Sequence, residues 1–169
     1  LGVSYNKNSI TEEEAQSYSC FWKPELEGKV GHFDWHLPNL GMMSLYNGNG
    51  GNLWDLDGAK WDAVKDTTLS LRKQAGGFFD YGGSFNGLKN GEMQAMCGIG
   101  DWITAPLEKD GAPVASTIPK EGGIQFTESY SIGKGSQKAD LARNFIQYML
   151  SPEGQVKSAQ MAAYPGFCV

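Results

Sequence analysis

The sequence has no apolar run near the roughly 18 residues a bilayer-crossing helix needs, so it contains no obvious transmembrane segment. It also has no block of like charges. With a formal net charge of -5, nothing in it resembles the basic footprint that phosphate backbones or anionic lipid surfaces select, and nucleic acid is not expected as a partner. Its three cysteines, Cys20, Cys97 and Cys168, stand in no CxxC or metal-type spacing, and an odd count leaves at least one thiol unpaired within the chain. There is no GxSxG elbow and no HExxH, and neither of the two histidines belongs to a nucleophile constellation. The glycine-rich stretch Asn47-Gly48-Asn49-Gly50-Gly51-Asn52 lacks the strand-GxGxxG-helix context of a phosphate cradle and is expected to be a flexible loop. No internal repeat and no cofactor motif is visible. The chain opens on Leu1-Gly2-Val3, with neither a basic n-region nor an initiator methionine, which reads as an N-terminus cut from something longer.

What is present is a chain of 169 residues, 40% hydrophobic, long enough for a real core and short enough to make one domain the default. Aromatics make up 12%, including five tryptophans, serving as core or as walls around a ligand. Strand and helix signals alternate. Residues 1–5 are β-prone, Thr11-Glu12-Glu13-Glu14 is a capping-box pattern predicting a helix of about two turns, and 29–33 reads as a strand ending at Asp34. Trp61, Val64, Thr68 and Leu71 mark one face of a helix over 58–74, with Asp57 at its N-cap position and Gly76-Gly77 as its stop. Further elements are a strand at Phe78-Phe79, helices over 83–90 and 101–108, and strands over 93–97, 113–118, 124–126 and 129–133. Leu141, Ala142, Phe145, Ile146, Met149 and Leu150 then form an apolar helical stripe. Ser151-Pro152 starts a second helix, by N-cap and proline at the first position, that runs until Tyr164-Pro165. The pattern is α/β.

Several segments together resemble the spermidine/putrescine-binding branch of the ABC-transporter substrate-binding proteins. They are Phe21-Trp22-Lys23-Pro24-Glu25-Leu26-Glu27-Gly28-Lys29-Val30, Phe79-Asp80-Tyr81-Gly82, the run from Ile118-Pro119-Lys120-Glu121-Gly122-Gly123 through Phe126-Thr127-Glu128-Ser129, and Phe145-Ile146-Gln147-Tyr148-Met149-Leu150-Ser151-Pro152-Glu153. The likeness covers nearly the whole chain, while the family's N-terminal portion and C-terminal tail have no counterpart in it. It implies a periplasmic-binding-protein-like lobe over 1–128, a mixed sheet flanked by helices. A return segment over 129–169 would follow, a strand and two helices that belong to the other lobe in full-length relatives. It also implies a periplasmic or extracellular location, with a lipid anchor in the full-length protein as one version, a membrane permease as partner, a small cationic solute as ligand and no catalytic step.

A polyamine needs carboxylates for its ammonium groups and aromatic faces along its methylenes. By resemblance, Phe126 stands at the family's aromatic platform and Glu128 at an acid that receives an amine; read without the family, such a pair is one core residue and one solvated cap. Of the family's two acids at a strand-to-helix junction only Asp34 remains, followed by Trp35, and Gly98 stands where another tryptophan is usual. Trp35 and Trp102 are the candidates to replace the aromatic walls. Metal binding by the alternating His32, Asp34 and His36 is a competing use of the same segment, weakened by Pro38 close behind. The competing functions are a carboxylate-based hydrolase using Asp34, Asp101 and Glu128, and a stand-alone assembly domain that has lost transport. The stripe on 141–150 further leads us to expect a homodimer through 129–169.

Overall fold

The structure, a computed structural model, describes residues 1–162. Two compact units are present, Leu1–Gln125 and a second that begins at Phe126.

The first unit is built on a five-stranded sheet: β1 (Val3–Asn6), β2 (Val30–Phe33), β3 (Ala75–Phe79), β4 (Ala95–Cys97) and β5 (Val114–Thr117), in the order β3-β2-β4-β1-β5. Strand β2 pairs in parallel with β3 on one side and β4 on the other, while β1 runs antiparallel between β4 and β5. The two-residue alternation of β4 separates the core into two bodies. Ala95 and Cys97 face the larger cluster with Val3, Tyr5, Phe21, Leu26, Val30, Met42, Val64 and Leu71, whereas Met96 faces the smaller one with Leu88, Ile103 and Leu107. Helices α1 (His36–Tyr46) and α2 (Gly58–Ser70) thus serve one face, and α3 (Tyr81–Lys89) and α4 (Asp101–Lys109) the other. Cys20 and Cys97 are both free and buried; burial pushes the Cys20 thiol up to about 12 and the Cys97 thiol upward as well. Cys168 and Tyr164-Pro165 lie outside the described residues.

Helix α1 is not marked by periodicity, because Pro38, Gly41, Met42, Met43, Ser44 and Leu45 are all buried and leave no polar face to read. Pro38 is tolerated in the first turn, where its missing N–H has no intrahelical partner to lose. Helix α2 starts after Asp57, as expected, but the aspartate makes no side-chain cap bond; of the four stripe positions Val64 and Leu71 are buried and Trp61 is exposed. The capping box forms, with Thr11 N–H donating to Glu14 Oε2 (2.8 Å) and Glu14 N–H to Thr11 Oγ1 (3.2 Å). It closes only a 3₁₀ turn, Glu14–Gln16, because Ser17 turns extended instead of carrying a two-turn helix onward. Residues 124–126 form no strand: Leu1 and Ile124 exchange two main-chain bonds (2.8 and 2.9 Å) and the pairing stops there.

In the second unit residues 129–133 form no strand either, since no extended partner stands beside them among the described residues of that unit. Helix α5 (Ala139–Met149) is followed by α6 (Pro152–Ala162), whose Gly154 N–H is received by Ser151 Oγ (3.2 Å), the N-cap expected there. None of the residues of α5 is buried, and Leu141, Phe145 and Leu150 are 64%, 56% and 46% exposed.

Lys23 Nζ reaches Glu14 Oε1 at 2.7 Å, and this contact, with the Thr11 N–H bond behind it, holds the Glu14 carboxyl at about 2, down from 4.5. A depressed carboxyl stabilises the fold above its ordinary value and loses that contribution as pH falls through the depressed one. The Glu14 side chain is 40% exposed, so after solvent screening the effect is on the order of 1 kcal/mol or less. Glu14→Gln should therefore flatten the acid limb of stability against pH between about 5 and 2, measured by urea unfolding. An unaltered limb would show that the pair does not form in solution.

Candidate functional site

Three parallel strands bring their C-terminal ends to one edge of the sheet. The chain passes from β2 to its neighbour β3 and then crosses, through α3, to β4 on the opposite side of β2. Successive connections thus leave β2 in opposite directions, and the crevice beyond the C-terminal ends at such a reversal is where open α/β sheets hold ligands.

Each of the three strands delivers an acid followed by an aromatic to this edge. Asp34-Trp35 follows β2 directly, Asp80-Tyr81 follows β3 directly, and Asp101-Trp102 opens the helix after β4. Trp35 is 49% and Tyr81 55% exposed; Asp34 and Asp80 are exposed, and Asp101 and Trp102 half-buried. Residues 30–36, 78–84 and 96–104 contain no lysine or arginine, and the Leu1 ammonium is in electrostatic reach of Asp101. The edge suits a cation with apolar stretches: ion pairs to carboxylates, ring faces for methylenes. Asp80 also has a structural task as N-cap of α3, accepting from Gly83 N–H at 2.7 Å.

The turn after β2 is tightly bonded. Asp34 N–H donates to Phe79 C=O (2.8 Å), and Trp35 N–H folds back to Phe33 C=O (2.6 Å). Asn39 on α1 donates to the carbonyls of Phe33 (2.7 Å) and Trp35 (2.8 Å) and lies 3.0 Å from His32 Nδ1. Burial lowers the tendency of His32 to charge, against the raising effect of Asn39. After β4, Gly98 has φ +85°, and its N–H donates to the buried Met42 sulfur at 3.2 Å.

The metal reading of His32, Asp34 and His36 loses its geometry here. His32 is buried against Asn39 and Phe78, and the helix that begins at His36 ends the extended alternation. Among the described residues no cluster of three or more His, Cys, Asp or Glu stands close enough to hold a metal ion.

Of the five residues singled out from sequence, Asp34, Trp35 and Trp102 share the strand-end edge. Phe126 and Glu128 lie in irregular chain at the start of the second unit, both exposed, Phe126 at 46%. The preceding turn is anchored within the first unit: Glu121 accepts from Ser17 Oγ and Tyr18 N–H, and Tyr18 OH donates to Gly122 C=O at 3.0 Å. Asp80, Tyr81 and Asn39 were not singled out as site residues, and Asp101 only as a hydrolase carboxylate. The recurrence of an acid–aromatic pair after successive strands is the sequence signal that would have found the first two.

The family model of bacterial extracellular solute-binding proteins matches residues 1–167. The chain is 24% identical over 164 residues to spermidine/putrescine-binding periplasmic protein 1 of Haemophilus influenzae, covering 97% of this chain and 44% of that one. A solved structure from Listeria monocytogenes, described as a putative spermidine/putrescine ABC transporter, superposes with a TM-score of 0.78 at 20% identity, over 96% of this chain and 49% of that one. A spermidine/putrescine ABC transporter substrate-binding protein from Streptococcus pneumoniae superposes at 0.76 with 18% identity, again over 96% and 49%. The fold is thus that of a periplasmic-binding-protein lobe, and the chain spans about half the length of the relatives it matches.

Gly98 should be the least replaceable glycine of this edge. A Cβ there would lie 3.0 Å from Asn39 Nδ2 and 3.1 Å from Phe33 Cβ, whereas Gly111, with a similar φ of +89°, faces open space. Gly98→Ala should cost about 1–3 kcal/mol in urea unfolding and more than Gly111→Ala, which carries only the backbone penalty of about 1–2 kcal/mol. Equal losses would mean that Asn39 and Phe33 yield freely.

Proposed function

Because the chain belongs to the bacterial extracellular solute-binding protein family, we propose that it is the solute-binding component, or a segment of one, of an ABC uptake system and that its ligand is a small polyamine-like cation. The carrying observation is the acid–aromatic pair that follows each parallel strand, with no lysine or arginine in those segments. Asp34, Asp80 and Asp101 receive ammonium groups, and Trp35, Tyr81 and Trp102 line the methylenes. In the second unit, taken by itself, Phe126 and Glu128 are an aromatic and an acid of the kind their family positions imply for amine binding. Ammonium–carboxylate bonds fix the ends of such a ligand, while cation–π contacts gain strength as water leaves. The carboxylates act as acceptors for charge and not as an acid–base pair. A membrane permease is the partner the function requires, and the periplasmic names of the sequence relatives support a periplasmic or extracellular setting.

Calorimetric titration with putrescine, spermidine and a set of neutral amino acids should give saturable heat for the amines alone, with no product formed. Heat with the neutral solutes but not the amines would overturn the ligand class. Glu128→Gln should weaken amine binding by about 1.5–3 kcal/mol, the value of a hydrogen bond to a charged group. Glu108→Gln, which removes only an exposed pair with Lys7 at 2.8 Å, should change it little. Equal effects of the two would remove Glu128 from the site.

The exposed stripe Leu141, Phe145 and Leu150 supports self-association through 129–169, each such side chain contributing roughly 1.5–3 kcal/mol when covered. Light scattering over a concentration series should show a dimer that Phe145→Asp abolishes. A wild type that stays monomeric throughout would refute it.

A further inference from the structure

Asn39 ties helix α1 to the end of β2 through three side-chain bonds. Its amide nitrogen donates to Phe33 C=O (2.7 Å) and Trp35 C=O (2.8 Å), which uses both of its hydrogens. Its Oδ1, 3.0 Å from His32 Nδ1, must then accept, so neutral His32 carries its proton on Nδ1. Asp34 stands between the two clamped carbonyls, and its own N–H is bound to Phe79 C=O at 2.8 Å. On the far side, the β4 end packs so closely that a Cβ at Gly98 would sit 3.0 Å from Asn39 Nδ2.

Helix capping does not account for these bonds. A cap accepts from the free N–H groups of a first turn, whereas Asn39 donates, and it donates backward to the strand end. The bonds fix the main chain on both sides of Asp34 and set the direction in which Asp34 and Trp35 leave it. We propose that Asn39 is the positioning residue of the ligand site: it touches no ligand and acts by holding the Phe33-Asp34-Trp35 backbone, so that the acid and the aromatic are preorganised for an ammonium group. This rests on the crevice being the ligand site, and the two ideas can fail separately.

The test compares Asn39→Ala and Asn39→Asp with Asn47→Ala. Asn47, the residue that ends α1, is a similar clamp, donating to Met43 C=O at 2.8 Å and pairing with Thr67. In the ligand-free protein, long-range nitrogen–proton spectra of the two histidines report the His32 tautomer. The wild type and Asn39→Asp should hold the proton on Nδ1, since a carboxylate still accepts it, and Asn39→Ala should release it. Amide exchange at Asp34 and Trp35 should quicken in both Asn39 variants, because neither donates to the carbonyls, and stay unchanged in Asn47→Ala. Putrescine and spermidine affinity should fall roughly tenfold to a hundredfold in both Asn39 variants, the cost of a misplaced contact, and hold in Asn47→Ala. Wild-type affinity in Asn39→Asp, or unchanged exchange at Asp34 and Trp35, would overturn the proposal. If the wild type takes neither amine, the ligand assignment falls, while tautomer and exchange still decide the clamp.

Discussion

Parallel pairing of β2 on both of its edges is the constraint from which the rest of the first unit follows. A parallel neighbour cannot be reached by a tight turn, so each connection must travel the length of the sheet and return, and helices are the compact way to do so. With α1 and α2 spent on the way to β3, and α3 on the way to β4, the chain covers both faces of β2. All three C-terminal ends then open at the same edge. The loops at that edge are free of pairing duties, and there the sequence places acids and aromatics instead of aliphatics. The antiparallel insertion of β1 between β4 and β5 extends the sheet on the far side and brings the start of β1 to the same edge as the end of β4.

Sequence patterns revealed elements where one face is wet, and failed where burial is complete or where pairing depends on chain far away. Helix α5 was plain because Leu141, Phe145 and Ile146 alternate with Asp140, Arg143 and Asn144 at helical spacing. Helix α1 was missed because five consecutive residues, Gly41 to Leu45, are buried and two of its exposed positions, Leu37 and Tyr46, are themselves apolar. The expectation of strands at 124–126 and 129–133 came from β-prone composition, which says that a segment suits a pleated surface and nothing about whether a neighbour is there to pair with. In the site, Asp34 and Trp35 could be placed from the strand end before them and Trp102 from its ring, but Asn39 carries no signal. Its importance lies in three bonds, two to main-chain groups and one to His32, that only the meeting of helix and strand creates.

The two units differ in how much they keep from water. In the first, side chains such as Phe21, Leu26, Met42 and Ile103 are at most 1% exposed, and the sheet has helices on both faces. In the second, the aromatic contact between Tyr130 and Phe145, rings 6.5 Å apart and perpendicular, and the pairs Arg143–Asp140 and Lys157–Glu153 all lie at exposed positions, where each contributes little. Most of the cohesion of a small helical pair comes from the face it buries. α5 leaves Leu141 and Phe145 of its apolar stripe exposed, with Ala142, Ile146 and Met149 half-buried.

Cys20 and Cys97 bear on the history of the chain as well as on its folded state. A cysteine reacts as its thiolate, so a thiol that is buried and held protonated is protected from oxidation. Folding supplies that protection by closing the larger core over both sulfurs; before closure they are open to attack. Protection of both sulfurs therefore depends on the segment carrying Cys20 docking on the strand carrying Cys97.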